Sequence, residues 1–402
     1  MTPRVSYRAS WILPITSPPI PDGWVVVEGG RIAAVGAGAA PAGPREVNLG
    51  SRVILPGLVN AHTHLELSWM RARVPPASRM ADWIRALMVL RREVHRDDPL
   101  AMAAAVGEAR RAGTSLVGDI SNTLASIHAL GASPLGGCLF YELLGFNHPD
   151  PAGLVREKVD QVRAAARPRV RTSLVPHAPY SVAPAMLRAI AALASEERWY
   201  TSIHLGESAD ELEFLATGRG AFRDLLESVG AWSDTWQPPG AGPLAYIESC
   251  GLLNERTLIV HAVHLTDEEL RRVAQAGATI VTCPRSNRWV GVGDPPIARF
   301  YGSGARVAIG TDSLASCPDL NLFAELARLR EISPQIPAGT LLHSATQAGA
   351  EALGFAQEHG ALEPGRRADL FAVEIPAGTA DVEEYLCSGI RPDAISWLEA
   401  RG

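Results

Sequence analysis

Eight short apolar runs rich in β-branched residues recur along the middle of the chain, with helix-like stretches between them. They occupy 53–60, 114–119, 137–143, 170–176, 201–205, 257–263, 278–283 and 306–311. Unbroken apolar runs of this length suit strands buried on both faces, and strands alternating with helices build parallel sheets. The helix-like stretches include 99–112, 183–195 and 266–276; the last opens on Thr266 with Glu269 three residues on, the spacing of a capping box. A closed (β/α)8 barrel and an open doubly wound sheet both fit such alternation. No glycine-rich phosphate loop follows any run, so the expected fold class is α/β, a (β/α)8 TIM-type barrel.

The ends of the chain read differently. Residues 1–52 hold short strand-like runs with Gly-Gly and Pro-Asp-Gly turns, and residues 361–402 return to that style in GALEPGRRADLFAVEIP. The expected organisation is a small β-sandwich assembled from 1–52 and 361–402, with the barrel over 53–360. The segment 217–245, with its Trp, Pro and Gly content, is expected as a partly ordered loop inserted after the fifth strand, near the barrel mouth.

Composition narrows the functional classes. With 47% apolar and 20% charged residues the 402-residue chain can bury a large core. A net charge of −6 argues against nucleic-acid binding, which depends on clustered positive charge. Five scattered cysteines suit neither a disulfide framework nor a thiolate metal site, and point to a reducing compartment. The first 23 residues carry prolines and polar breaks where a secretory signal needs an apolar core, and no run reaches membrane-spanning length. A cytoplasmic protein acting on a small molecule is the expectation, with no membrane partner.

The chemistry collects where strands end. The first run leads into LPGLVNAHTHLELS, where His62 and His64 alternate onto one face of a strand. Alone, such a pair either binds a metal or merely solvates a strand tip. The fourth run ends at His177, the fifth at His204 followed by Glu207, the sixth at His261 and the eighth at Asp312. In a parallel barrel these ends share one rim, where catalytic groups gather. Convergence there favours one divalent ion held by His62, His64, His204 and Asp312. That nitrogen-and-oxygen set suits Zn²⁺ first and accommodates Fe²⁺ or Mn²⁺. Such an ion lowers the pKa of bound water toward neutrality. Glu207 is placed to shuttle a proton, as non-ligand glutamates do in zinc deaminases; His261 is placed to hold the attacking water, and Asp312 to accept a proton as well as bind metal. His95, His128, His148, His343 and His359 read as surface or loop residues.

The motifs PGLVNAHTHLE, PHAPYS, HLGES, VHAVHL, CPRSN and GTDSLAS together resemble the amidohydrolase superfamily, within its mononuclear aminohydrolase branch. That branch includes S-adenosylhomocysteine/methylthioadenosine, guanine and cytosine deaminases and triazine hydrolases. Binuclear relatives bridge two metals through a carboxylated lysine after the fourth strand. Here Pro176-His177 stands in that place and Lys158 is the sole lysine, which implies one metal. HTHLELS, MADWIRAL, PHAPYSV and HLGES are most similar to aminodeoxyfutalosine deaminases of menaquinone biosynthesis. The resemblance implies deamination of an adenine-type nucleoside, with His177 on the nucleoside, Glu93 on ribose hydroxyls, and Ser286 and Asn287 shaping the pocket floor. It also implies a homodimer. The alternatives are a methylthioadenosine/S-adenosylhomocysteine or guanine deaminase, a triazine-type chlorohydrolase or amidohydrolase, and a non-catalytic scaffold.

Overall fold

The structure is a computed structural model that describes residues 4–41, 45–93 and 98–398, with the side chain of Glu93 outside them. Eight parallel strands form its centre: β1 (Leu58–Thr63), β2 (Thr114–Ser121), β3 (Gly136–Leu143), β4 (Val170–Pro176), β5 (Thr201–Leu205), β6 (Thr257–His261), β7 (Thr279–Thr282) and β8 (Arg306–Ile309). β1 to β4 pair in order, as do β5 to β8. The two halves join at both edges. The His204 amide donates to the His177 carbonyl at 3.0 Å, and the amides of Thr311 and Asp312 both donate to the His62 carbonyl at 3.1 Å. The strands therefore close into a (β/α)8 barrel. Gly310 permits the second junction, because a Cβ there would stand 2.7 Å from the His62 carbonyl oxygen.

Alternation along each strand fills the barrel and sets what caps it. Cys138 and Phe140 on β3, Val175 on β4 and Ala308 on β8 are buried in one apolar cluster. Two residues beyond the last of each, on the same face, stand Glu142 and His177, and four beyond Ala308 stands Asp312. Hydrophobic burial thus carries polar groups to one end of the barrel.

Helices surround the strands: α1 (Met80–Glu93), α2 (Pro99–Arg111), α3 (Pro184–Glu197), α4 (Ala209–Thr217), α5 (Ala221–Ser228) and α6 (Asp267–Gln275). The capping box expected at Thr266 is formed, the Glu269 amide donating to the Thr266 hydroxyl and the Thr266 amide to the Glu269 carboxylate. In the segment 217–245 the structure contains more order than a loop. It supplies α5, and Trp236 stacks on Phe214 at 4.7 Å while Trp232 stacks on Phe146 at 5.8 Å.

Two further sheets make the small domain. One has the order 31–36, 24–28, 4–8, 45–48; the other has the order 395–397, 370–374, 52–56, 11–12, 20–21. The run 53–60 therefore serves two sheets. Residues Arg52–Pro56 pair antiparallel with Leu370–Glu374, and only beyond Gly57 does β1 enter the barrel. A division at residue 53 falls inside a strand of the small sheet. Glycine is needed at 57, since a Cβ would lie 2.3 Å from that of Ser115.

Candidate active site

His62 projects from β1 fully buried, and neither of its ring nitrogens has a hydrogen-bond partner among the described residues. A buried imidazole left unpaired is costly unless something else takes the nitrogen. One nitrogen each of His62, His64 and His204 lie within 4.8 Å of one another, and Asp312 Oδ1 stands 3.8 Å from His62 Nε2 and 3.4 Å from His64 Nε2. Ligands of a tetrahedral zinc ion at ~2.1 Å are separated by about 3.4 Å. The four groups expected to hold a metal are thus brought together, and their donor set fits one divalent ion.

The protonation states agree. Burial, reinforced by the neighbouring imidazoles, holds His62 well below its ordinary range. Burial outweighs the attraction of Asp312 and pushes His64 down to about 3. Neutral imidazoles are the ligating form. His204 turns Nδ1 to the His177 carbonyl at 3.0 Å, which leaves Nε2 for the cluster. Asp312 is fixed in the same way: its Oδ2 accepts from the Ser286 hydroxyl at 2.6 Å and from Ser316 at 3.2 Å. Its Oδ1 is left to face the imidazoles.

Glu207 and His261 flank this cluster. The His261 Nε2 stands 3.5 Å from Glu207 Oε1, while Nδ1 accepts from the Asn287 side-chain amide at 3.0 Å. His261 and Asp312 both adopt left-handed backbone, with φ of 72° and 59°, a conformation that non-glycine residues hold only where the surroundings enforce it. Glu211, wholly buried, accepts from the amides of Gly206 at 3.0 Å and Glu207 at 3.1 Å and so fixes the turn after β5. Burial, then the carboxylates of Asp312 and Glu211, pushes Glu207 well above the usual carboxyl range.

Ser286 and Asn287 lie in a short helix, α7 (Pro284–Trp289). Both are fully buried behind the floor, where their hydrogen bonds run to Asp312 and His261. His177 does line the cavity, with Nδ1 against Ser181 Oγ at 2.6 Å. Glu93 ends α1, and its side chain lies outside the described residues. His359, read as a surface residue, is buried with Nδ1 3.6 Å from Asp369.

A cavity of about 880 Å³ opens over the cluster. His64, His177, His204, Glu207, His261 and Asp312 make its floor; Trp69, Trp83, Leu87, Phe146, Phe222 and Leu226 make much of its wall. The wall also holds Glu66, Arg91, Asn122 and Glu142, which the strand-end pattern did not select. Glu142 carried a signal, because a carboxylate inside the apolar run GGCLFYEL needs a reason to be there.

Residues 53–391 match the model of the amidohydrolase family. The chain belongs to the amidohydrolase family. Among curated relatives of this amidohydrolase, an aminodeoxyfutalosine deaminase of Deinococcus radiodurans is 33% identical over 318 residues, covering 75% of the chain and 73% of the relative. A 5-methylthioadenosine/S-adenosylhomocysteine deaminase of Nitratidesulfovibrio vulgaris is 32% identical over 379 residues, covering 89% and 80%. Among solved structures, a zinc-bound adenosine deaminase of Xanthomonas campestris superposes with a TM-score of 0.81 at 27% identity, covering 97% of this chain and 90% of that one. This amidohydrolase is accordingly a hydrolytic aminohydrolase enzyme, which removes the scaffold reading. No helix among its described residues is long and apolar enough to cross a membrane.

Proposed function

We propose that the protein deaminates an adenine-type nucleoside that carries a sizeable apolar group on its ribose, aminodeoxyfutalosine being the leading candidate, and that it serves menaquinone biosynthesis. The observation that carries this reading is the cavity's two-part character. A floor of imidazoles and carboxylates suits a polar ring, and an aromatic wall in a space of about 880 Å³ leaves room for a second apolar body. The names of the two curated relatives support the same substrate class. Zn²⁺ is the proposed ion, on the strength of the nitrogen-rich donor set and the zinc-bound neighbour.

His62, His64, His204 and Asp312 would hold the ion, which when bound makes water nucleophilic near neutral pH. Glu207, whose carboxyl burial pushes well above its ordinary range, takes the first proton of the attacking water and passes it to the ring nitrogen beside the amino-bearing carbon, so that this carbon accepts the attacking oxygen. His261 holds the attacking oxygen by hydrogen bond and opposes charge as it develops. Asp312 takes the water's second proton and returns it to the amine, which leaves as ammonia, while the first proton stays on the ring nitrogen. Water is consumed and the ring gains a carbonyl.

The test is ammonia release from aminodeoxyfutalosine, methylthioadenosine, S-adenosylhomocysteine, guanine and cytosine. Turnover confined to the adenine nucleosides, highest kcat/KM on aminodeoxyfutalosine, is expected. Silence on every adenine nucleoside, with turnover of a free base or a chlorinated ring, would contradict the substrate assignment.

A further inference from the structure

Arg285 stands next to Ser286 in CPRSN, yet it does not line the active-site cavity. Its side chain is 16% exposed, and its hydrogen bonds run to α8 (Leu322–Ile332) and to the loop that leads into that helix. Arg285 Nε donates to Glu325 Oε1 at 2.6 Å, while Nη2 donates to Asp319 Oδ1 at 2.8 Å and to the Asp319 carbonyl at 3.1 Å. The main-chain amide of Arg285 donates to the other oxygen of Glu325 at 3.2 Å. Glu325 is wholly buried.

The helix α7 needs such support. It has six residues, opens on Pro284 and receives no side-chain cap from Cys283. A helix this short is marginal alone, and the amides of its first turn have no partner within it. Glu325 takes the Arg285 amide with a carboxylate brought from another helix, at the end where negative charge is favourable. Arg285 in turn offsets the cost of burying that carboxylate. On the same short helix, Ser286 Oγ stands 2.6 Å from Asp312 Oδ2 and 2.8 Å from Ser316 Oγ, and the Asn287 amide reaches His261 at 3.0 Å. Thus α7 is fastened twice to the segment after β8: by Ser286 at Asp312 and Ser316, and by Arg285 at Asp319 and Glu325.

Resting on the metal centre proposed above, we infer that Arg285 and Glu325 are positioning residues of the active site, whose buried pair seats α7 so that Ser286 and Asn287 hold Asp312 and His261 where metal binding and proton transfer require them. The pair acts through those two neighbours. A small displacement of α7 moves both bonds at once, so metal affinity (through Asp312) and turnover (through His261) are lost together.

The test compares wild type with R285K, E325Q and the double variant R285M/E325M. R285K keeps a charge against Glu325 but lacks the fork that reaches Asp319 as well. The methionine pair replaces the ions by apolar volume, a change that often leaves stability unharmed. Each protein is measured for Zn²⁺ affinity by competition with a chelator, for the visible spectrum of bound Co²⁺, and for KM and kcat per bound metal on aminodeoxyfutalosine. The melting temperature of the metal-free protein is recorded alongside. Zn²⁺ affinity is expected to fall about 10-fold in every variant. The Co²⁺ spectrum is expected to change, and kcat per bound metal to fall about 10-fold with KM held within about twofold. The double variant is expected to melt with wild type and still show these losses. Recovery of affinity and rate in the double variant would make the pair a structural brace alone and overturn the inference. So would R285K and E325Q that match wild type in affinity, spectrum and kcat, and these two decide the question if the double variant does not fold. Wild-type protein that binds neither Zn²⁺ nor Co²⁺ would instead remove the metal centre, and this inference with it; failure of the substrate alone leaves both metal readouts to decide.

Discussion

The His62 imidazole, fully buried and without a hydrogen-bond partner on either nitrogen among the described residues, is the residue that most demands an external ligand. Around it each group has a separable task, and substitution should separate them. Among the described residues Glu207 makes no hydrogen bond to the three clustered imidazoles, so E207Q is expected to retain metal while kcat falls by about 10²–10⁴; an activity close to wild type would remove its proton-shuttle role. Ser286 does not line the cavity, yet its hydroxyl makes the shorter of the two bonds to Asp312 Oδ2. S286A is therefore expected to weaken metal affinity by about 10-fold or more, as read by competition with a chelator, and an unaltered affinity would show that Ser316 alone orients the carboxylate. Residue types at strand ends made six of these groups legible in the sequence. The partners of Ser286 and Asn287, and the place of Glu142 in the cavity wall, were not legible, because they depend on which neighbour a short helix or a strand face brings close, and spacing does not encode that.

Elements carry the next level, and the turn between β5 and α4 is the clearest case. Glu211 closes it by accepting two backbone amides, and burial pushes this carboxyl up to about 7. Because the folded value lies above the unfolded one, the native state holds the proton more tightly. The group's contribution to stability is complete below about pH 4.5 and declines as pH rises through 7. E211Q cannot lose that proton. The stability of wild type relative to E211Q should accordingly fall between pH 5 and pH 8, measured by urea unfolding of metal-free protein, whereas a pH-independent difference would mean that Glu211 ionises normally. Element identity was readable where a cap or a period announced it, as at Thr266 and Glu269. It was not readable at 53–60, where an unbroken apolar run looks the same whether it serves one sheet or two. Nor did 217–245 reveal α5, since its Trp, Pro and Gly content masks the apolar spacing of Phe222, Leu225 and Leu226.

At the scale of the molecule, eight parallel strands bring His62, His204 and Asp312 from positions 250 residues apart in the chain onto one rim, His62 and Asp312 being joined by a backbone bond. The barrel was legible because alternation of runs is a global pattern, robust to errors at any single boundary. An ion that bridges the first, fifth and eighth strands binds the native state alone, so its loss should be felt by the whole fold. Removing metal with a chelator is expected to lower the melting temperature, with recovery on adding Zn²⁺ in proportion to the logarithm of its concentration; a melting curve indifferent to chelation would place the metal outside the barrel's framework. The most direct measurement is an anomalous-diffraction map of crystals grown with Zn²⁺. The account predicts a single peak about 2.0–2.2 Å from nitrogens of His62, His64 and His204 and from Asp312. Absence of a peak among those four side chains, or one held by a different set of residues, would contradict it.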